Sequence, residues 1–349
     1  MRNNLPHTPR IVLAGAVEST LRTLEGLLRN GANVVGVLGL DIDVSSNISG
    51  YSRFDTLARE AKIPYADFKR INSPEVMAKI RQWEPDFLFA VGLSQILCPE
   101  LLAIPRKGCV GFHPTCLPEG RGRAPIAWLT FERRRGAASF FEMNAGVDAG
   151  GILVQEPFEV SEDDYADDVI SKALGAIDIA LDRWLPRLLA GEWDPKPQSE
   201  VQITEYGRRM PDDGKIDWNR PTKEIYALIR AASRPHPGAY TFIDDRKLII
   251  WRARPDNTLR CRGVVGRIVR MDNDKGALVQ TADGLLWLTE VDGATLKVGK
   301  RLGYCVEEEI NQLKERVNYL EERLRRLEKY ADEKILYSDH VVLRKGNSL

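Results

Sequence analysis

Residues 11–40 read IVLAGAVESTLRTLEGLLRNGANVVGVLGL. They begin with a short, β-branched apolar run, Ile11–Val17, that stops at Glu18-Ser19. Leu21, Leu24, Leu27 and Leu28 then recur at helical spacing on one face, and Gly31 ends the helix. A second apolar run, Asn33–Leu40, follows. The alternation continues downstream: residues 73–83 read as a helix and Asp86–Val91 (DFLFAV) as another strand of the fully buried kind. Strands alternating with helices predict an α/β fold, a parallel sheet covered on both faces. Ligands of such sheets bind beyond the carboxyl ends of the strands. The turn after the first strand reads AGAVEST and lacks the G-x-G-x-x-G spacing, so a dinucleotide site is unsupported.

The composition sets the bounds. At 349 residues the chain is long enough for about two domains, and an apolar share of 43% supports a sizeable core. Formal net charge is zero, which argues against a nucleic-acid partner. The five cysteines (Cys98, Cys109, Cys116, Cys261, Cys305) form no CxxC pair and no zinc-type cluster, as expected of free thiols in a reducing compartment. MRNNLPHTPR has no apolar core of a signal peptide, and no run approaches the roughly 20 residues that span a bilayer. The expectation is a cytoplasmic protein with no membrane partner.

The pattern changes twice further on. Residues 187–205 (RLLAGEWDPKPQSEVQITE) are polar and carry Gly191, Pro195 and Pro197, as at a domain boundary. Beyond them, Leu248–Trp251, Val264–Val269, Ala277–Gln280 and Leu285–Leu288 are short apolar runs between Asp/Asn/Gly turns, which fits a small β-barrel or curled sheet. Then Ile310, Leu313, Val317, Leu320, Leu324 and Leu327 keep strict 3-4 spacing. Ile/Val/Leu at a, with Leu at d, form a heptad seam, and the g-to-e′ pairs of a parallel dimer (Glu309–Lys314, Arg316–Glu321, Arg323–Glu328) are all of opposite sign. The competing reading is an amphipathic helix lying on its own core.

Two segments carry candidate chemistry. In GCVGFHPTCLPEGRGRAPIAW (108–128) a strand delivers His113 to its end, and three prolines and two loop glycines hold Thr115, Arg121 and Arg123 on a stiff loop. Histidine exchanges a proton near neutral pH. The plainer alternative is a buried imidazole with its hydrogen bonds satisfied. In SFFEMNAGVDAGGILVQ (139–155) a strand ends in a glycine-rich loop around one acid, Asp148. It could orient an imidazole or merely cap the turn.

Taken together these segments resemble the formyltransferase family that takes a formyl group from N10-formyltetrahydrofolate and includes methionyl-tRNA, glycinamide ribonucleotide and sugar-nucleotide formyltransferases. The matching pieces are the first strand, VGLSQIL (91–97), HPTCLPEGRGRAP, GVDAGGIL and RRMPDDGKIDW (208–218), in order over residues 10–303. The resemblance implies a Rossmann-like formyl-transfer domain (1–205) and a small barrel-like β domain (206–304); the heptad seam adds a coiled-coil dimerisation helix (305–331), and a tail (332–349) follows. It places His113 and Asp148 on the family's catalytic His and Asp. It assigns Leu93, Ser94, Gln95, Ile96 and Leu97, with Gly146, Val147 and Gly150, to the folate co-substrate, and calls for no metal. RGRAPIAW, the SFF before Asp148 and RPHPGAYTF (234–242) are similar to sugar N-formyltransferases. They imply a nucleotide-linked amino sugar as acceptor, met by Thr115, Arg121, Gly122, Arg123, Pro125 and Trp128. The chain departs from the family at Gly111, where relatives carry an Asn that donates to the developing oxyanion. The alternatives are a folate- or nucleotide-sugar-binding protein of altered or lost activity, hydrolysis of formyl-folate, and a methionyl-tRNA formyltransferase-like enzyme.

Overall fold

The structure, a computed structural model, describes residues 8–303 and 306–345, and in the last helix only the side chains of 310–330. The first half runs β1 (Arg10–Gly15), α1 (Glu18–Arg29), β2 (Asn33–Leu40), α2 (Asp55–Glu60), β3 (Tyr65–Phe68), α3 (Pro74–Gln82), β4 (Phe87–Val91), α4 (Pro99–Leu102) and β5 (Gly108–Thr115). It continues with β6 (Arg121–Gly122), α5 (Pro125–Glu132), β7 (Gly136–Glu142), β8 (Ile152–Phe158) and α6 (Ala166–Leu189). The second half holds β9 (Glu205–Tyr206), α7 (Thr222–Ala232), β10 (Ala239–Ile243), β11 (Arg246–Asp256), β12 (Ile268–Asp272), β13 (Gly276–Gln280), β14 (Leu285–Asp292) and α8 (Val306–Lys345).

The main sheet has the order β3-β2-β1-β4-β5-β7-β8. Its first five strands are parallel, as the opening strand–helix–strand predicts, but β7 and β8 run antiparallel. No crossover helix separates β7 from β8, and a strand that returns through a loop alone pairs antiparallel. One consequence governs the site. Gly111 faces Phe141 across the ladder, and the Met143 N–H donates to the Cys109 carbonyl, so the β7–β8 loop starts low on β5. Asp148 reaches the end of β5 only because that loop folds back.

The core explains the rest. Ile11, Leu13, Phe87, Phe89, Val110 and Phe140 point into one layer and meet Leu24 and Leu27 of α1 and Ile177, Leu181 and Leu185 of α6. Each such side chain contributes about 1.5–3 kcal/mol on burial. Leu21 and Leu28, predicted on the same face of α1, pack at its margin.

The second sheet is antiparallel, with order β10-β11-β14-β13-β12. Its end strands do not pair with each other, so it is a five-stranded sheet rather than a closed barrel. Val264–Val269 becomes a strand only from Ile268, since Gly266 (φ +79°) turns the chain just before it. Several polar links join the halves, and two are buried. The Tyr165 hydroxyl donates to the Ala253 carbonyl and accepts from its N–H, at 2.9 and 3.0 Å. Buried Arg230 of α7 donates to the Asp164 and Thr130 carbonyls at 2.7 and 3.3 Å.

The last helix runs to Lys345, past the expected end at 331, because neither proline nor glycine interrupts 306–345. Every residue from 310 to 330 is exposed, the six seam residues at 45–65%. The seam therefore does not lie on the chain's own core. Cys305 and residues 346–349 fall outside the described residues. No helix among those described is long and apolar enough to cross a membrane.

Candidate active site

β5 carries His113 two residues before its end, with the ring buried. Nε2 lies 2.8 Å from the Gly120 carbonyl and Nδ1 lies 3.5 Å from Asp148 Oδ2. A carbonyl only accepts, so Nε2 carries a proton. In the neutral ring Nδ1 is then bare and faces the carboxylate, and a second proton there turns the contact into an ion pair. Burial pushes the imidazole below its ordinary pKa, while Asp148 and the Gly120 carbonyl favour the charged form.

The two sequence alternatives resolve together. His113 is buried and hydrogen-bonded, yet its second nitrogen faces an acid. Asp148 does not cap its own turn: Oδ2 accepts from the Gly122 N–H at 2.9 Å. Residue 148 sits at φ +48°, a conformation that a side chain rarely adopts.

The loop after β4 is tied from behind. Gln95 accepts from the Ile71 N–H and donates to the Lys69 carbonyl, and Asn72 donates to the Ile96 carbonyl and accepts from the Cys98 N–H. Leu97 is buried in the core. Ile96 is 75% exposed, and the N–H groups of Leu93, Ser94, Gln95 and Ile96 bond nothing among the described residues. In the other loop Val147 is 58% exposed. Gly150 has a structural duty: a Cβ there would lie 1.6 Å from the Glu142 carbonyl oxygen.

The candidate acceptor residues separate. Thr115 is buried beside Gly120, its hydroxyl without a hydrogen-bond partner among the described residues. Arg121 Nε and Nη2 donate to Gln198 Oε1 at 3.1 and 2.6 Å. Gly122 holds Asp148, and Pro125 starts α5. Arg123 is exposed, and its guanidinium has no partner among the described residues. The Trp128 ring stacks on Tyr206 at 5.6 Å, donates through Nε1 to the Gly207 carbonyl, and lies 5.1 Å from the Arg209 guanidinium. A cavity of about 530 Å³ opens beside Trp128, Phe131, Arg208 and Arg209; neither His113 nor Asp148 lines it.

Gln198 and Thr204 were hidden in the segment read as a boundary, and Tyr206 lies just beyond it. Thr204 Oγ1 accepts from the Gly120 N–H, and β9 pairs with β6. The polar residues of that segment bond the loops around His113, and only the mixture of prolines with Gln and Thr in 195–204 hinted at ordered structure.

At Gly111 an added Cβ would lie 2.6 Å from Phe141 Cζ and 2.9 Å from Met143 Cγ. The space that a side chain would take is filled.

The fold is an α/β sheet that brings His113 and Asp148 together at the end of β5. Residues 31–181 match the family described as formyl transferase, and residues 209–299 match the formyl transferase C-terminal domain. The chain belongs to the formyl transferase family. Among solved structures it is similar to HypX from Aquifex aeolicus (TM-score 0.59, 16% identity, 84% of this chain) but spans only 47% of that protein. It is similar to WlaRD, a sugar 3N-formyl transferase determined with dTDP and 5-N-formyl-THF (0.59, 16%, 83% of this chain and 100% of that). It also resembles an N-formyltransferase from Helicobacter canadensis with folinic acid and dTDP-3-aminofucose (0.57, 16%, 80% and 98%). At these identities the likeness speaks for the fold.

Proposed function

We propose that the chain transfers a formyl group from N10-formyltetrahydrofolate to a primary amine of a nucleotide-linked amino sugar. The observation that carries this reading is the buried His113–Asp148 pair, with one nitrogen fixed by Gly120 and the other open to a proton shared with the acid. His113 takes the proton that the attacking amine loses and returns it to N10 of the folate as the C–N10 bond breaks, and Asp148 balances the imidazolium in between. Holding both reactants beside the pair supplies much of the rate. Four unbonded N–H groups next to exposed Ile96 suit a flat heterocycle rich in acceptors, as a pterin is. The unpaired guanidinium of Arg123 suits a diphosphate.

Gly111 supplies no side-chain donor, and Phe141 and Met143 leave room for none. Asn144 accepts from the Gly146 N–H through Oδ1, which leaves its amide nitrogen to serve instead. The same filled space favours a second reading, a folate-binding protein that turns over slowly or not at all. The exposed seam of α8 pairs with a second copy of this chain as a parallel coiled coil, and the opposite-signed g/e′ charges support that occupant. We place the protein in the cytoplasm.

Incubation with formyl-folate and a panel of dTDP- and UDP-amino sugars, followed by mass spectrometry, tests the function. The expected result is a mass gain of one formyl group on one sugar. Formylation of charged initiator tRNA with no sugar turnover would refute it, and folate binding without any turnover would select the second reading.

A further inference from the structure

Gln198 lies between α6 and β9, on a segment with no role in the reaction as described so far. Its carboxamide makes four hydrogen bonds. Oε1 accepts from Arg121 Nε and Nη2 at 3.1 and 2.6 Å, and Nε2 donates to the carbonyls of Asp148 and Gly150 at 2.7 and 2.8 Å. A guanidinium only donates and a carbonyl only accepts, so the amide has a single orientation and both ends are fully used.

The loop that carries Asp148 needs such a hold. It starts level with Cys109, must fold back to reach His113, and keeps residue 148 at φ +48°. A non-glycine residue in this left-handed region is uncommon and is held there by its surroundings. Two links impose it: the Gly122 N–H on Oδ2, and Gln198 on the backbone either side of Ala149. Because Arg121 precedes Gly122, the contacts close a ring: Arg121 to Gln198, Gln198 to Asp148, Asp148 to Gly122.

We propose that Gln198 is a positioning residue that transmits the state of the Arg121 guanidinium to Asp148, and so to His113. An anionic acceptor met by the remaining Nη1 of Arg121, while Nε and Nη2 keep hold of Oε1, braces the amide and its grip on the Asp148 loop. Alignment of the acid–base pair thereby responds to the acceptor. The proposal rests on the reading of His113 and Asp148 as that pair.

The test is a double-mutant cycle on the full chain, read by NMR titration of the His113 ring. The chain has only four histidines, and His113→Asn assigns the signal. Asp148 is the charged group facing the ring, and it favours the imidazolium. Any loss of alignment therefore lowers the titration midpoint. Gln198→Ala should lower it by about half a unit or more, Arg121→Ala should lower it in the same direction, and the double variant should go no further. On kcat the same cycle should show a roughly 10–100-fold loss in each single variant, with KM for formyl-folate little changed and no added loss in the double. Additive effects, or an Arg121→Ala variant that titrates as wild type, would overturn the proposal. Asp148→Asn separates the two levels. If it leaves the His113 midpoint unmoved, the acid–base reading fails. If it lowers the midpoint while Gln198→Ala does not, only the role of Gln198 fails.

Discussion

Placing at position 111 the asparagine that the family resemblance implies should destabilise this protein, and the structure says by how much and through which neighbour. A Cβ at residue 111 would lie 2.6 and 3.0 Å from Phe141 Cζ and Cε1, and 2.9 Å from Met143 Cγ. Carbon atoms pack comfortably at roughly 3.5–4.0 Å. Met143 is unbranched and only partly buried, so it can yield. Phe141 is 2% exposed and stands directly opposite Gly111 in the β5–β7 ladder, so its ring has nowhere to go. Overpacking of this kind costs about 1–3 kcal/mol. Phe141→Ala alone opens a cavity and costs about 3–5 kcal/mol. In Gly111→Asn/Phe141→Ala the amide occupies the space the ring leaves, so the two losses should fall short of additive by about 1–3 kcal/mol. Urea unfolding of the four proteins measures this. Additive losses, or a Gly111→Asn protein as stable as wild type, would refute the claim that Phe141 fills the missing side chain's place. The double variant also bears on chemistry. One oxyanion donor is worth roughly 10²–10³-fold in turnover, so formyl transfer slower than in relatives should accelerate once the amide has room.

Three further outcomes are expected. Because burial lowers the His113 pKa, kcat/KM should rise through an apparent pKa below that of free histidine and be level at neutral pH; Asp148→Asn, which removes the charge favouring imidazolium, should move that rise to still lower pH and cost about 10²–10⁴-fold. A pH–rate profile in which the rise stays in place would contradict this. His236 is held neutral by burial near Arg209, with its pKa pushed down to about 4. Between roughly pH 6.5 and 4 the unfolded chain binds the proton that the folded chain refuses. Stability should therefore fall as pH drops through that window, on the order of 1.4 kcal/mol per unit, and His236→Gln should flatten the slope of urea midpoint against pH. Leu320 sits at a central d position and is 49% exposed in the single chain. Leu320→Lys should convert a dimer to a monomer in analytical ultracentrifugation without altering the fold, and a wild-type protein that sediments as a monomer at micromolar concentration would end the coiled-coil reading.

The opening strand–helix–strand was legible because a buried parallel strand is apolar along its whole length, and an amphipathic helix repeats its leucines on one face. The antiparallel turn of β7 and β8 was not, because apolar runs such as SFF report burial and not direction. His113 and Asp148 stood out by residue type at the ends of apolar strands, and the order of the surrounding motifs brought them together. What composition could not show was which side chains answer to the fold. Gln95, in a loop assigned to the co-substrate, has its amide engaged in anchoring that loop, and Arg121, assigned to the acceptor, is engaged by Gln198. Gln198 itself looked like linker, because polar residues between prolines read alike whether they bond solvent or an active-site loop.

The segment that joins the two sheets has a bearing on how such proteins can be recombined. Thr204, Tyr206 and Gly207 are bonded or stacked onto Gly120, β6 and Trp128, so the join is an internal part of the first half. A chimera that borrows a different second half with its junction at 198–207 would exchange the residues that brace the His113 and Asp148 loops along with the appendage. One spliced after Gly207 would keep those braces native, which makes that point the natural seam at which the first half can be given a new companion.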